Sequence, residues 1–149
     1  EISDRIRKAS GVSATTTSAA VVEALRRLNA RKVAVATPYI DEINEKIKQF
    51  LEFRNFDVTN VKGLGLISNI DIGRQEPKVI LKLATETITK DSDALFISCT
   101  NFPALAAVQK IEDKIKKPVV TSNQATFWHM LRELKIPYKI EGYGKLFRE

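Results

Sequence analysis

Four short apolar runs, each followed within a few residues by an apolar stripe of helical period, constrain this chain more than any other feature. Val33-Ala34-Val35-Ala36-Thr37 is the first run, bounded by Arg31-Lys32 and by Pro38. Apolar residues at consecutive positions, several of them β-branched, fit a strand buried on both faces of a parallel sheet. From Ile40 the period changes: Ile40, Ile43, Ile47, Phe50 and Leu51 fall on one helical stripe. Asp57 to Val61 predicts a second strand, ended by Gly63-Leu64-Gly65, and a loop follows through Asn69 and Gly73. Pro77 suits a first helical turn, and Val79, Ile80, Leu83, Ala84 and Ile88 form the next apolar face. Ala94 to Ser98 is the third strand, with Leu105, Val108, Ile111 and Ile115 inward on the helix after it. Pro118 to Thr121 is the fourth, and Ser122 is placed to cap a helix bearing Phe127, Trp128, Leu131 and Leu134. The expectation is an α/β fold with a four-stranded parallel sheet and helices on both faces.

The two ends differ from this middle. A Ser/Thr-rich start from Ser13 leads into Val21, Val22, Leu25 and Leu28, a helix before the first strand. The tail from Lys139 carries Tyr143, Leu146 and Phe147 among glycines and charges. Apolar surface on segments of this kind seldom stays bare, so docking and a homo-oligomer are expected.

The 149 residues are 44% hydrophobic, enough for one core. Charged residues make up 28%, and no stretch approaches the roughly 18 consecutive apolar residues of a membrane span. Glu1 to Arg5 carries both signs of charge and no apolar segment of a secretory signal, so a cytoplasmic location is expected. The single cysteine excludes an internal disulfide and a cysteine-rich metal site. The net charge of +6 invites a nucleic-acid reading. Its distribution speaks against one: Lys and Arg alternate with acids, as across Glu42, Glu45, Lys46 and Lys48, and no basic run is interleaved with aromatics. A solvated basic surface, or one that draws in anionic substrates, accounts for the same charge.

In an open parallel sheet, ligands bind beyond the carboxyl ends of the strands. Those ends carry Thr37-Pro38-Tyr39, Gly65 to Asn69, Ser98-Cys99-Thr100-Asn101 and Thr121-Ser122-Asn123, so reactive and hydrogen-bonding side chains gather on one rim. Cys99 stands where an apolar strand gives way to a helix. The amides and dipole of that helix start would favour its thiolate and fit it for proton transfer. A buried structural cysteine is the alternative. Tyr39 offers a phenol to a carboxylate or oxyanion, or is an ordinary packed aromatic. Asn69 is either a carboxylate ligand or a turn residue. Thr100 and Asn101 are candidates to cap the next helix, with Pro103 in its first turn. His129, the one histidine, pairs with Cys99 only if folding joins them, and a packing or surface role fits it better. Gly63-Leu64-Gly65 lacks the remainder of a dinucleotide fingerprint.

Taken in order, these stretches resemble the aspartate/glutamate racemase superfamily, above all its maleate cis-trans isomerases and also its arylmalonate decarboxylases. The resemblance rests on Thr15-Thr16-Thr17, Val33 to Ile40, Leu66 to Gly73, Ser98 to Asn101, Pro118 to Gln124 and Gly142 to Phe147. It implies two facing α/β lobes with a site between them and one cysteine position from each. On that reading residues 30–122 are the second lobe. Residues 1–29 are a linking helix region that belongs with a first lobe, and residues 123–149 are a helix and tail returning to it. It also implies that Cys99 exchanges a proton with a substrate carbon, while Tyr39, Asn69 and the Thr100 and Asn101 backbone bind a small carboxylate substrate. No metal and no organic cofactor are implied. The first lobe, from elsewhere in the polypeptide or from a second chain, would supply the other cysteine, and the 149 residues alone are expected to be inactive. The Cys-Thr-Asn motif departs from the Cys-Gly-Gly usual in the decarboxylases and favours isomerase or racemase chemistry. A carboxylate-binding module without catalysis is the reading from another class.

Overall fold

The computed structural model describes residues 2–149. Four strands, β1 (Lys32–Thr37), β2 (Asp57–Gly63), β3 (Ala94–Ile97) and β4 (Val119–Thr121), form one parallel sheet in the order β2-β1-β3-β4. Around it lie α1 (Ile2–Ser10), α2 (Thr17–Arg27), α3 (Asp41–Phe53), α4 (Asn69–Gly73), α5 (Pro77–Thr87), α6 (Val108–Ile115) and α7 (Ser122–Glu133). The predicted α/β architecture is what the chain adopts.

The consecutive apolar residues of the strands divide by pleat between two cores. Val33 and Val35 of β1, Ala94 and Phe96 of β3 and Val120 of β4 share one cluster with α2, Leu51 of α3, and Ala125 and Trp128 of α7. Ala34, Ala36, Leu95, Ile97 and Val119 point the other way, onto Ile80, Leu83 and Ala84 of α5 and onto Val108 and Ile111 of α6. Side chains alternate across a strand with a period of two, so a run without polar gaps requires cover on both faces. Helices on both faces provide it.

The segments that the sequence assigns to another lobe also serve this sheet. Ala20, Val21, Ala24 and Leu25 of α2 are buried in the same cluster as β1, and Leu146 and Phe147 of the tail close over it. Thr126 of α7 donates to Thr17 of α2 at 3.2 Å and joins the two helices directly. Exposed apolar side chains remain on the outer face of α7 and beyond it, at Phe127, Met130, Leu134 and Ile136. Among the described residues no helix is long and apolar enough to cross a membrane.

Three local expectations are corrected. The helix after β3 does not begin at Thr100: a 3-10 turn opens at Leu105 and α6 follows from Val108, so Thr100 and Asn101 cap nothing and Pro103 precedes the helix. The loop through Asn69 and Gly73 contains α4, capped by Ser68, whose hydroxyl accepts from Asp71 N–H. Thr121, not Ser122, caps α7. Its hydroxyl accepts from Gln124 N–H while the Gln124 side chain accepts from Thr121 N–H, a reciprocal capping box that leaves Ser122 free for another partner.

The tail is fastened by one buried acid. Glu112, only 8% exposed, accepts from Val119 N–H at 2.9 Å and from Lys145 N–H at 2.8 Å, with the Arg148 guanidinium 3.8 Å away. Removing a buried acceptor leaves its donors without partners, which costs more than the bonds themselves contributed. Glu112→Ala is therefore expected to lower unfolding free energy by about 2–4 kcal/mol in a urea titration. A loss below about 0.5 kcal/mol, the range of a surface substitution, would show that the tail is not held this way.

Candidate active site

The rim at the carboxyl ends of β1 and β3 is built by two turns that lean on one another. After β1 the chain turns at Pro38 and Tyr39, held by Leu64, Gly65 and Leu66, which donate to Thr37, Tyr39 and Pro38 carbonyls at 3.1, 3.1 and 2.8 Å. After β3, Ser98 N–H still donates to Ala36 O at 2.9 Å. At the next residue the backbone leaves the strand, with Cys99 at φ 114°. That region is glycine's, and an L side chain there is strained by about 1–3 kcal/mol. The strain is stabilised from outside the turn: Cys99 N–H donates to the Ser122 hydroxyl at 3.1 Å, the partner that Thr121's capping role leaves available. Thr100 O accepts from Asn123 Nδ2 at 2.9 Å, so the start of α7 grips the cysteine turn at two points.

Cys99 is 8% exposed and opens onto a cavity of about 530 Å3. Tyr39, Ser98, Thr100 and Ser122 border it, with Thr16, Thr17 and Ser18 opposite. Its wall is apolar, from Val21, Ile43, Ile47, Phe50 and Phe96, and Lys46 stands at its edge. Two helix starts therefore flank the sulfur. One is α2, whose cap Thr16 accepts from Ala19 N–H at 3.2 Å, and the other is α7. Their unpaired amides and positive dipole ends favour an anion in the cavity. The helix start expected beside Cys99 is not that of α6, which begins too far along the chain; the starts of α2 and α7 border the cavity instead.

The half-buried Tyr39 phenol lies close enough to the Cys99 side chain for the two to interact, and both border the cavity. Its pKa lies well above the ordinary tyrosine value, first because burial penalises the phenolate, then because of the hydrogen bond to Cys99 and the charge that sulfur can carry. At neutral pH Tyr39 is thus a neutral donor beside the thiol.

The structure brings together three of the five site residues read from the sequence, Cys99, Tyr39 and Thr100. It does not bring the other two into the cavity. Asn101 donates through Nδ2 to Asn69 O at 2.6 Å, and both residues are exposed on the rim beside α4. Gly73 gives Asn101 its room, since a Cβ there would lie 3.1 Å from its Oδ1. His129 lies on α7 by Trp128, with ring centroids 6.3 Å apart, in a surface depression shared with Glu23 and Arg26. No Cys–His pair forms. Ser122 stands on the rim, as its place at the end of β4 implies, whereas Thr16 and Thr17 carry no local signal for the cavity and reach it through the packing of α2 against α7.

The site is thus a strained cysteine and a neutral tyrosine at the rim of a parallel α/β sheet, facing a cavity between two helix starts. Comparison with known proteins gives the chain a family. The arylmalonate decarboxylase family model matches residues 1–147, and the chain belongs to that family. It is 35% identical over 147 residues to the arylmalonate decarboxylase of Bordetella bronchiseptica, covering 97% of this chain and 61% of that protein. It is 32% identical over 131 residues to the maleate isomerase of Nocardia farcinica, covering 87% of this chain and 52% of that one. A solved structure of the Nocardia farcinica isomerase, a cysteine-to-serine variant with a covalently bound succinylcysteine intermediate, superposes with a TM-score of 0.92 at 27% identity, over 99% of this chain and 62% of that one. This chain spans little more than half to three-fifths of the length of these relatives.

The raised Tyr39 pKa has a consequence for stability. A phenol that holds its proton more tightly when folded leaves stability unchanged below its unfolded pKa of about 10 and reduces it as pH rises further. Between about pH 10 and 11, urea midpoints of the protein should fall more steeply than those of Tyr39→Phe. Parallel curves for the two proteins would contradict the placement of the phenol.

Proposed function

We propose that this chain carries half of the active site of a cofactor-independent cysteine isomerase that converts maleate to fumarate. The observation that supports it is the strained, cavity-facing Cys99 with the Tyr39 phenol beside it. In this reaction a second thiolate adds to one alkene carbon, and the electron pair of the double bond passes to the neighbouring carbon and its carboxylate. Cys99 delivers a proton to that carbon, giving a succinyl thioether. Rotation about the now single C–C bond, return of the proton to Cys99 and expulsion of the thiolate give the trans alkene, so atoms and charge balance. Tyr39 donates to a substrate carboxylate, while the helix starts of α2 and α7 stabilise the negative charge that builds on it. Thr100, which borders the cavity, adds a further contact to the carboxylate, whereas Asn69 and Asn101, bonded to one another outside the cavity, are left without that role. The chain's own sequence holds one cysteine, so the adding thiolate comes from outside residues 1–149. The succinylcysteine in the Nocardia farcinica variant is the adduct that this scheme requires of a relative.

The apolar wall favours a second reading. Val21, Ile43, Ile47, Phe50 and Phe96 offer more greasy surface than maleate can use. A malonate with a bulky apolar substituent would fill it. Loss of CO2 from such a substrate leaves an enediolate whose carbon takes a proton from Cys99, a step for which one cysteine suffices. Against it stands Thr100-Asn101 where the decarboxylases usually have two glycines.

Incubating the full-length protein with maleate, with D- and L-aspartate and with phenylmalonate, and following products by NMR, separates these chemistries. Fumarate is the expected product, and Cys99→Ser should reduce turnover by about 10³-fold. Turnover that survives Cys99→Ser, or dicarboxylate binding with no product from any substrate, would sink the catalytic reading.

A further inference from the structure

Between β1 and α3 lies a buried polar pair that the reaction does not use directly. Thr37 is fully buried and Asn44 is 5% exposed. The Thr37 hydroxyl donates to Asn44 Oδ1 at 2.5 Å and accepts from Tyr39 N–H at 3.0 Å. Asn44 Nδ2 donates to Tyr39 O and to Asp41 Oδ1, each at 3.4 Å. Both backbone polar atoms of Tyr39 are thus tied to one Thr–Asn unit. The neighbouring strand end makes room for it: a Cβ on Gly63 would collide with the Tyr39 carbonyl and the Asn44 amide. Asn44 also falls on the inward side of α3, one turn after Ile40, where an apolar side chain would pack without any hydrogen-bond requirement. Replacing a buried bonded pair by apolar groups of the same shape is close to neutral for stability. Here that exchange would also leave Tyr39 N–H without its acceptor, so what the hydroxyl and the amide serve is the placement of the Tyr39 backbone.

We propose that Asn44 is a positioning residue: through Thr37 and the Tyr39 backbone it holds the phenol against Cys99, and so controls the proton step at the substrate carbon without touching substrate. This rests on the reading of Cys99 and Tyr39 as acting together on a carboxylate substrate. A displacement of about 1 Å at a reacting group can cost about 10²-fold in rate, and the brace holds the phenol's backbone at both its N–H and its carbonyl.

The test uses Thr37→Val, which keeps the volume and deletes the hydroxyl, and Thr37→Ser, which keeps the hydroxyl. In the full-length protein Thr37→Val should lower kcat by about 10²-fold with KM altered less than about threefold, and Thr37→Ser should restore most of the rate. Asn44→Asp, which keeps the acceptor for Thr37 and loses the donor to Tyr39, should show the same split and covers the case in which Thr37→Val does not fold. In a Tyr39→Phe background these substitutions should cost little more, because the group they position is gone. If no substrate turns over, the reaction reading fails and the brace is still read: tyrosinate absorbance, taken as the difference from the matching Tyr39→Phe protein, should show Tyr39 ionising at lower pH in Thr37→Val than in Thr37→Ser. Losses that add to that of Tyr39→Phe, or a kcat and a Tyr39 ionisation both unmoved by Thr37→Val and Asn44→Asp, overturn the proposal.

Discussion

The hydrogen bond from Cys99 N–H to the Ser122 hydroxyl is the contact on which the rest of the site depends. At φ 114° a cysteine does not stay by local preference. It stays because α7 meets the turn at Ser122 and Asn123, and α7 is in turn fixed by its capping box, by Trp128 in the core and by Thr126 on α2. The same packing brings the starts of α2 and α7 to the sulfur. Strain at the cysteine and the anion-favouring field around it thus share one cause, the docking of two helices on one face of the sheet.

The cavity that results is two-sided. Hydroxyls and helix starts line the end near Cys99, and aliphatic and aromatic side chains from α2, α3 and β3 line the rest. A carboxylate suits the first part and an apolar substituent the second, the division to be expected where one set of groups orients a ligand and another excludes water from it. One of the two named relatives is an arylmalonate decarboxylase and the other a maleate isomerase, so related chains of this kind serve both decarboxylation and isomerisation.

Much of this was legible in the sequence because the strands are buried on both faces. Val33 to Ala36 has no polar gap, which fits the central strand of a parallel sheet covered on both faces. The rim residues followed from the strand ends. The conformation of Cys99 was not legible, since its positive φ is imposed by Ser122, 23 positions away. The helix expected at Thr100 was misplaced for a related reason: Asn101 reaches sideways to Asn69 rather than down its own chain. Two features do have local signals. Thr121-Ser122-Asn123-Gln124 carries the Thr-x-x-Gln spacing of a capping box, which points to Thr121 as the cap. Asn44 interrupts the Ile40, Ile43, Ile47 stripe, and a polar residue on an inward face announces a buried hydrogen-bond partner.

The central claim is that carboxylate and sulfur meet in this cavity. A crystal structure of the full-length protein with an unreactive substituted malonate tests it most directly. The account requires a carboxylate oxygen in hydrogen-bond reach of the Tyr39 hydroxyl, with the Cys99 sulfur about 3–3.5 Å from the substituted carbon and the substituent against Ile47 and Phe50. A ligand seated away from Cys99, with the sulfur still closed off behind Tyr39, would contradict it.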